Sequence, residues 1–222
     1  MSDPELIPVE DRPAVLVVAG LDPSGGAGLT LDAAIIRAFG LHPLPVAAGV
    51  AIQNTSRFAS RHDLGADLVM AQLKVLAEEF LLGAVKIGML GQVETVERVG
   101  AWLADRPRLP VVLDPLLRST SGGALGEAGL EQALLRHLVP RARVLTPNID
   151  EAATLSGANI QSREDVPPAA RALRERGARW VLVKGGHLPR ARGADFLCGP
   201  EEELWVEVEA SLEREVRGTG CA

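Results

Sequence analysis

Val15-Leu-Val-Val-Ala-Gly20-Leu-Asp-Pro-Ser-Gly-Gly-Ala-Gly28 is the stretch from which the fold is read. Val15 to Val18 are uninterrupted apolar and mostly β-branched, the signature of a strand covered on both faces. Asp22, Pro23 and Ser24 supply turn chemistry and a candidate helix N-cap. Gly25, Gly26 and Gly28 let backbone or ligand approach closely. Thr30 to Phe39 read as a helix closed by Gly40. A strand that passes through glycines into a helix sets backbone N–H groups at the carboxyl edge of a sheet, where open α/β sheets hold their ligands. A tight βα turn without a ligand is the plain alternative. No lysine follows the glycines as a phosphate loop requires, and Leu31 stands where a dinucleotide fingerprint has its third glycine.

Outward from this stretch, strand and helix patterns alternate. Val46 to Ile52 read as a strand that ends in Gln53, Asn54 and Thr55, polar groups placed to reach a ligand. Asp67 to Leu82 carry Val69, Leu73, Leu76 and Phe80 at helical spacing, with Asp67 as a cap and Gly83 as the stop. Ala84 to Leu90, Pro110 to Asp114, Arg143 to Asn148 and Arg179 to Gly186 read as strands that each run into polar or glycine turns. Helices are expected over Glu127–Val139, from Asn148 to Ser156, and from Ser162 to Gly177. Ala194–Cys198 and Glu203–Glu209 alternate as an antiparallel edge would. This order predicts a three-layer αβα sandwich on a mostly parallel sheet.

Composition bounds the function. The chain has 222 residues, 47% hydrophobic, with a net charge of −6. One sizeable core is within reach of that length. The acidic balance argues against general nucleic-acid binding, which needs a basic face. No apolar run reaches the roughly 18 residues of a membrane helix. Cys198 and Cys221 make neither a disulfide framework nor a Cys-x-x-Cys, so a reducing, cytoplasmic setting is expected. His42, His62, His137 and His187 show no metal-ligand spacing.

In a parallel sheet, six strand ends would share one edge: Gly20–Gly28, Gln53–Asn54, Lys86–Met89, Asp114–Pro115, Thr146–Glu151 and Lys184–Gly186. Asp114 and Glu151 are acids that could hold Mg²⁺ directly or through water. Glu151 could equally close a capping box on Asn148. Gly218-Thr-Gly-Cys221 would present successive N–H groups as an anion hole if a helix began there, with the cysteine pKa lowered. An ordinary turn is the other reading.

These motifs, in this order, resemble the bacterial hydroxymethylpyrimidine kinase/phosphomethylpyrimidine kinase family of thiamine biosynthesis, within the ribokinase-like superfamily. The resemblance covers nearly the whole chain. Its most specific parts are Ala19–Gly28, Gln53-Asn54-Thr55, Lys86–Leu90, Val112–Pro115, Leu145–Asn148 with Glu151, Val183–His187 and Gly218–Cys221. It implies ATP-dependent phosphorylation of 4-amino-5-hydroxymethyl-2-methylpyrimidine, then of its monophosphate to the diphosphate. It further implies that Gln53 binds the pyrimidine edge through its amide, with Gly20, Asp32 and Met89 lining the pocket. Thr146, Asn148 and Lys184 would face the nucleotide phosphates, and Asp114 and Glu151 would organise Mg²⁺. Cys221 would help deprotonate the hydroxyl while the Gly218, Gly220 and Cys221 backbone holds the phosphoryl group. A homodimer is compatible with the family.

Leu21, Ala33-Ala34 and Arg217 depart from the family pattern. The family also continues for roughly two helices beyond the cysteine, enough to cover one sheet face. The expectation is a single kinase domain over residues 1–222 whose C-terminal helices after Cys221 are missing from the sequence as given. A pyridoxal/pyridoxine kinase of the same superfamily is the alternative among enzymes. A truncated, non-catalytic ligand-binding remnant is the alternative of a different class.

Overall fold

β1 (Ala14–Leu21) lies inside a nine-stranded sheet, paired in parallel with β2 (His42–Gln53) on one side and β4 (Leu82–Ile87) on the other. The computed structural model describes residues 14–117, 126–185 and 194–207. With β3 (Phe58–Asp63), β5 (Val111–Leu113), β6 (Val144–Leu145), β7 (Trp180–Val183), β8 (Ala194–Cys198) and β9 (Glu203–Glu207), the strand order is β3-β2-β1-β4-β5-β6-β7-β8-β9. In sheet order, the six strands β2, β1, β4, β5, β6 and β7 are mutually parallel; β3 and β8 run antiparallel to them at the two margins, and β9 pairs antiparallel with β8. All six parallel strands therefore deliver their carboxyl ends to one edge.

Topology decides which helix covers which face. The crossover from β1 to β2 moves one way along the sheet, whereas the steps from β3 to β4 and onward move the other way. Right-handed crossovers then place α1 (Gly28–Ala38) opposite α2 (Ala66–Glu79), α3 (Val93–Ala104) and α6 (Val166–Glu175). The core agrees. Val17, Ala19 and Leu29 of α1 form one cluster, while Leu16 and Val18 join Leu73, Val96 and Leu173 in the large one. β1 is covered on both sides, as its uninterrupted apolar run predicts.

Period-two alternation carries that division across the sheet. Val17 is in register with Lys86, Lys86 with Val112, and Val112 with Val144, so these residues share the α1 side. Val85, Ile87, Val111, Leu113, Leu145, Val181 and Val183 face the other helices and are fully buried.

Several local expectations are corrected. α2 ends at Glu79, and Phe80 turns the chain into extended backbone, so Gly83 lies inside β4 instead of stopping a helix. The N-cap of α2 is Gly65 and accepts no side-chain bond; Asp67 instead pairs with Arg98 at 2.6 Å. Ala27, not the Asp22–Ser24 turn, precedes α1. The helix expected over Glu127–Val139 is shorter and mixed: α4 (Leu130–Ala133), a π turn over Leu134–Leu138 and a 3₁₀ turn over Val139–Arg141. Ser162 opens a short 3₁₀ turn, with α6 starting at Val166. β3 is a strand that sequence periodicity did not reveal.

Candidate active site

At the end of β1 the chain turns sharply. Asp22 is buried, and its Oδ1 accepts bonds from the Ser24 backbone N–H at 2.9 Å and the Ser24 hydroxyl at 2.7 Å. Gly28 has φ +60, and a Cβ there would strike the Gly20 carbonyl, so the return of the chain onto β1 demands glycine. A Cβ on Gly20 would strike the Met89 Cε. Gly20 and Met89, both expected to line a pocket, are thus packed against each other.

Two of the chain's three lysines stand on the α1 side of this edge, each held by an aspartate. Lys86 Nζ reaches Asp32 Oδ2 of α1 at 2.6 Å, and Lys184 Nζ reaches Asp114 Oδ1 at 2.9 Å. Asp32 is 6% exposed and Asp114 3% exposed. Burial raises the Asp32 carboxyl above its ordinary value; Lys86 pulls it down, and Asp114 adds a smaller upward push. Asp32 and Asp114 are therefore close enough to sense each other's charge.

Glu151 closes the capping box that its spacing from Asn148 allowed. α5 (Ile149–Ser156) starts with a full capping box: Glu151 N–H donates to Asn148 Oδ1, and Asn148 N–H donates to Glu151 Oε2, both at 2.9 Å. Glu151 is nonetheless 3% exposed, and its Oε1 has no hydrogen-bond partner of ordinary geometry among the described residues. Burial pushes its pKa up to about 7. Asp114 adds like-charge repulsion, while the Asn148 N–H, Lys184 and the Leu117 N–H pull the other way. Thr146 N–H donates to Leu113 O at 2.9 Å, and Asn148 bridges to Lys184, tying β5, β6 and β7 together at the edge.

Asp32, Asp114, Asn148, Glu151 and Lys184 are thus linked by bonds or by charge, and Thr146 lies beside them. Gln53 sits half-buried at the carboxyl end of β2, on the same edge but across β1 and β4 from Asp114. Asn54 serves the turn instead: its Oδ1 accepts from Ser56 and Arg57 N–H at 2.9 and 2.8 Å and reverses the chain into β3. Gly218, Gly220 and Cys221 lie outside the described residues. Sequence reasoning assigned no role to Lys86. Its signal was there: a rare lysine beside a glycine turn.

The family model for phosphomethylpyrimidine kinase matches residues 22–222. The hydroxymethylpyrimidine/phosphomethylpyrimidine kinase of Streptomyces coelicolor is 37% identical over 209 residues, covering 94% of this chain and 77% of that protein. A thiamine biosynthesis multifunctional protein of Corynebacterium efficiens is 36% identical over 95% of this chain, which spans only 29% of its length. Among solved structures, the phosphomethylpyrimidine kinase of Clostridium difficile superposes with a TM-score of 0.81 at 30% identity, covering 89% of this chain and 85% of that one. The pyridoxal kinase of Bacillus subtilis, solved with ADP, gives 0.85 at 27% identity, covering 95% and 80%. No helix among the described residues is long and apolar enough to cross a membrane. On a ribokinase-like sheet that brings these acids, lysines and glycine turns to one edge, the chain belongs to the phosphomethylpyrimidine kinase family.

Proposed function

We propose that this chain transfers a phosphoryl group from ATP to the hydroxymethyl group of 4-amino-5-hydroxymethyl-2-methylpyrimidine, and then to the resulting monophosphate, in thiamine biosynthesis in the cytoplasm. The observation that carries the reading is the meeting of Lys184 with Asp114, 70 positions apart in the chain, beside the buried Glu151. Phosphoryl transfer needs positioning and charge compensation more than covalent chemistry, and a cation and two acids at the mouth of a sheet supply both.

In this reading Lys184, Thr146 and Asn148 face the nucleotide phosphates, with Lys184 released from Asp114 toward them. Asp114 and Glu151 present hard oxygen donors that fit Mg²⁺, which usually takes one or two carboxylates and completes its shell with water and phosphate oxygens. Glu151 Oε1, without a partner of ordinary geometry among the described residues, is the atom that suits this task. Bound Mg²⁺ would offset charge on the transferring phosphoryl group. Gln53 reads the ring nitrogen and amino group of the pyrimidine, which its amide matches with one donor and one acceptor. Gly20 and Met89 wall the pocket, and Asp32 accepts a hydrogen bond from the substrate. Gly218, Gly220 and Cys221 serve as anion hole and proton acceptor on sequence grounds alone.

The test is ADP release by the purified protein with ATP, Mg²⁺ and the hydroxymethylpyrimidine, run beside pyridoxal and pyridoxine. Preferential turnover of the pyrimidine, lost on Gln53→Ala, is the expected result. Preferential turnover of pyridoxal would transfer the assignment to the vitamin kinases represented by the Bacillus neighbour, and absence of turnover on the whole panel would overturn it.

A further inference from the structure

We propose that Lys86 is a positioning residue of the pyrimidine site, holding the Asp32 carboxylate ionised and aimed so that it can accept a hydrogen bond from the substrate. The inference rests on the reading that Asp32 touches the pyrimidine.

The geometry is specific. Lys86 rises from β4 on the α1 side, in register with Val17, and crosses to α1 to meet Asp32 Oδ2 at 2.6 Å. The partners are 54 positions apart and the lysine side chain is only 17% exposed. Space for the ammonium comes from Gly88, where a Cβ would sit 3.3 Å from Nζ and 3.2 Å from the Ala19 Cβ. The Lys86-Ile-Gly88 spacing thus places the cation and clears its seat.

An isolated carboxylate in so buried a position is strongly disfavoured. Burial is the largest influence on Asp32 and, together with Asp114 at the end of β5, more than offsets the pull of Lys86. Lys86 from β4 and Asp114 are the charged groups acting on Asp32 among the described residues. Without the ammonium, Asp32 takes up a proton, and an acceptor becomes a donor facing the substrate. Lys86 has no need to touch either substrate to produce this effect.

The experiment is steady-state kinetics on Lys86→Met, Lys86→Arg, Asp32→Asn and the double Lys86→Met/Asp32→Asn in the full-length protein. In Lys86→Met the KM for the pyrimidine should rise about 10- to 100-fold, the range of a lost bond to a charged group. The KM for ATP should stay fixed and kcat should stay within about threefold, the pattern of lost substrate binding. The KM defect should shrink as pH is raised, and Lys86→Arg should recover most of the loss. The double variant should match Asp32→Asn alone. An unchanged pyrimidine KM in Lys86→Met overturns the inference; so does a double variant clearly worse than Asp32→Asn, since Lys86 would then act on the substrate directly. If Lys86→Met does not fold, the double variant, which buries no lone charge, decides by the same comparison. Asp32→Asn with an unchanged pyrimidine KM would overturn the reading of Asp32 itself, and absent pyrimidine turnover in the unaltered protein would overturn the kinase assignment.

Discussion

The two faces of the sheet divide the labour of the molecule. On the face that meets α2, α3 and α6, every inward position of β4 to β7 is apolar and buried: Val85, Ile87, Val111, Leu113, Leu145, Val181 and Val183. On the α1 face the neighbouring positions alternate with these, and at the carboxyl edge they change character to Lys86, Asp114, Thr146 and Lys184. One residue of shift along a strand moves a side chain from core to chemistry. If the edge residues carry the activity as proposed, the stability and the activity of this chain are separable, because the groups responsible stand on opposite sides of one sheet.

Substitutions at adjacent positions test that separation. Asp114→Asn should cut kcat/KM by about 10²–10³, the usual cost of one preorganised electrostatic group. Retention within about tenfold would move the chemistry off this face. The residue before it, Leu113, is fully buried on the other face. Leu113→Ala should lower unfolding free energy by about 2–5 kcal/mol in a denaturant titration, while the KM values of the folded fraction stay near those of the unaltered protein. A large KM change there would show that the faces are coupled.

Glu151 sharpens the comparison by pH. Its carboxyl is raised from 4.5 to about 7 in the fold, so the folded chain holds that proton more tightly than the unfolded one. The stabilisation this provides is complete below the unfolded value near 4.5 and is lost as pH rises toward 7, roughly 3 kcal/mol in all. Glu151→Gln keeps the capping chemistry and should flatten this decline in metal-free thermal scans from pH 4.5 to 7. An unchanged slope would place the titration elsewhere. The smallest effect is expected at Val112, half-exposed beside Lys86 in the register. Val112→Ala should cost about 1 kcal/mol or less; a loss equal to that of Leu113→Ala would erase the difference between the faces.

Much of this was legible in the chain. The uninterrupted run Val15 to Val18 announced a strand covered on both sides, and polar groups after each apolar run marked the carboxyl edge. The Asn148-to-Glu151 spacing announced a capping box, and the box is present. Other elements were hidden because local pattern conflicted with context. Phe58–Asp63 is too polar to read as a strand, yet it pairs with β2 after the Asn54 turn reverses the chain. Phe80 continues the helical spacing of α2, but its backbone is extended and β4 begins at Leu82, where pairing with β1 from Ala14 onward claims the chain for the sheet.

Local periodicity and turn chemistry, which act over a few residues, were enough to determine the alternation of strands and helices, the parallel sheet and the edge where ligands belong. The partners of the buried charges were decided only in three dimensions. Lys86 meets Asp32 and Lys184 meets Asp114 because strand register and the side on which α1 packs bring them within reach, and separations of 54 and 70 positions leave no trace of that in the spacing. Burial then raises the Asp32 and Glu151 carboxyls, an effect set by what surrounds a group in space and not by its neighbours along the chain.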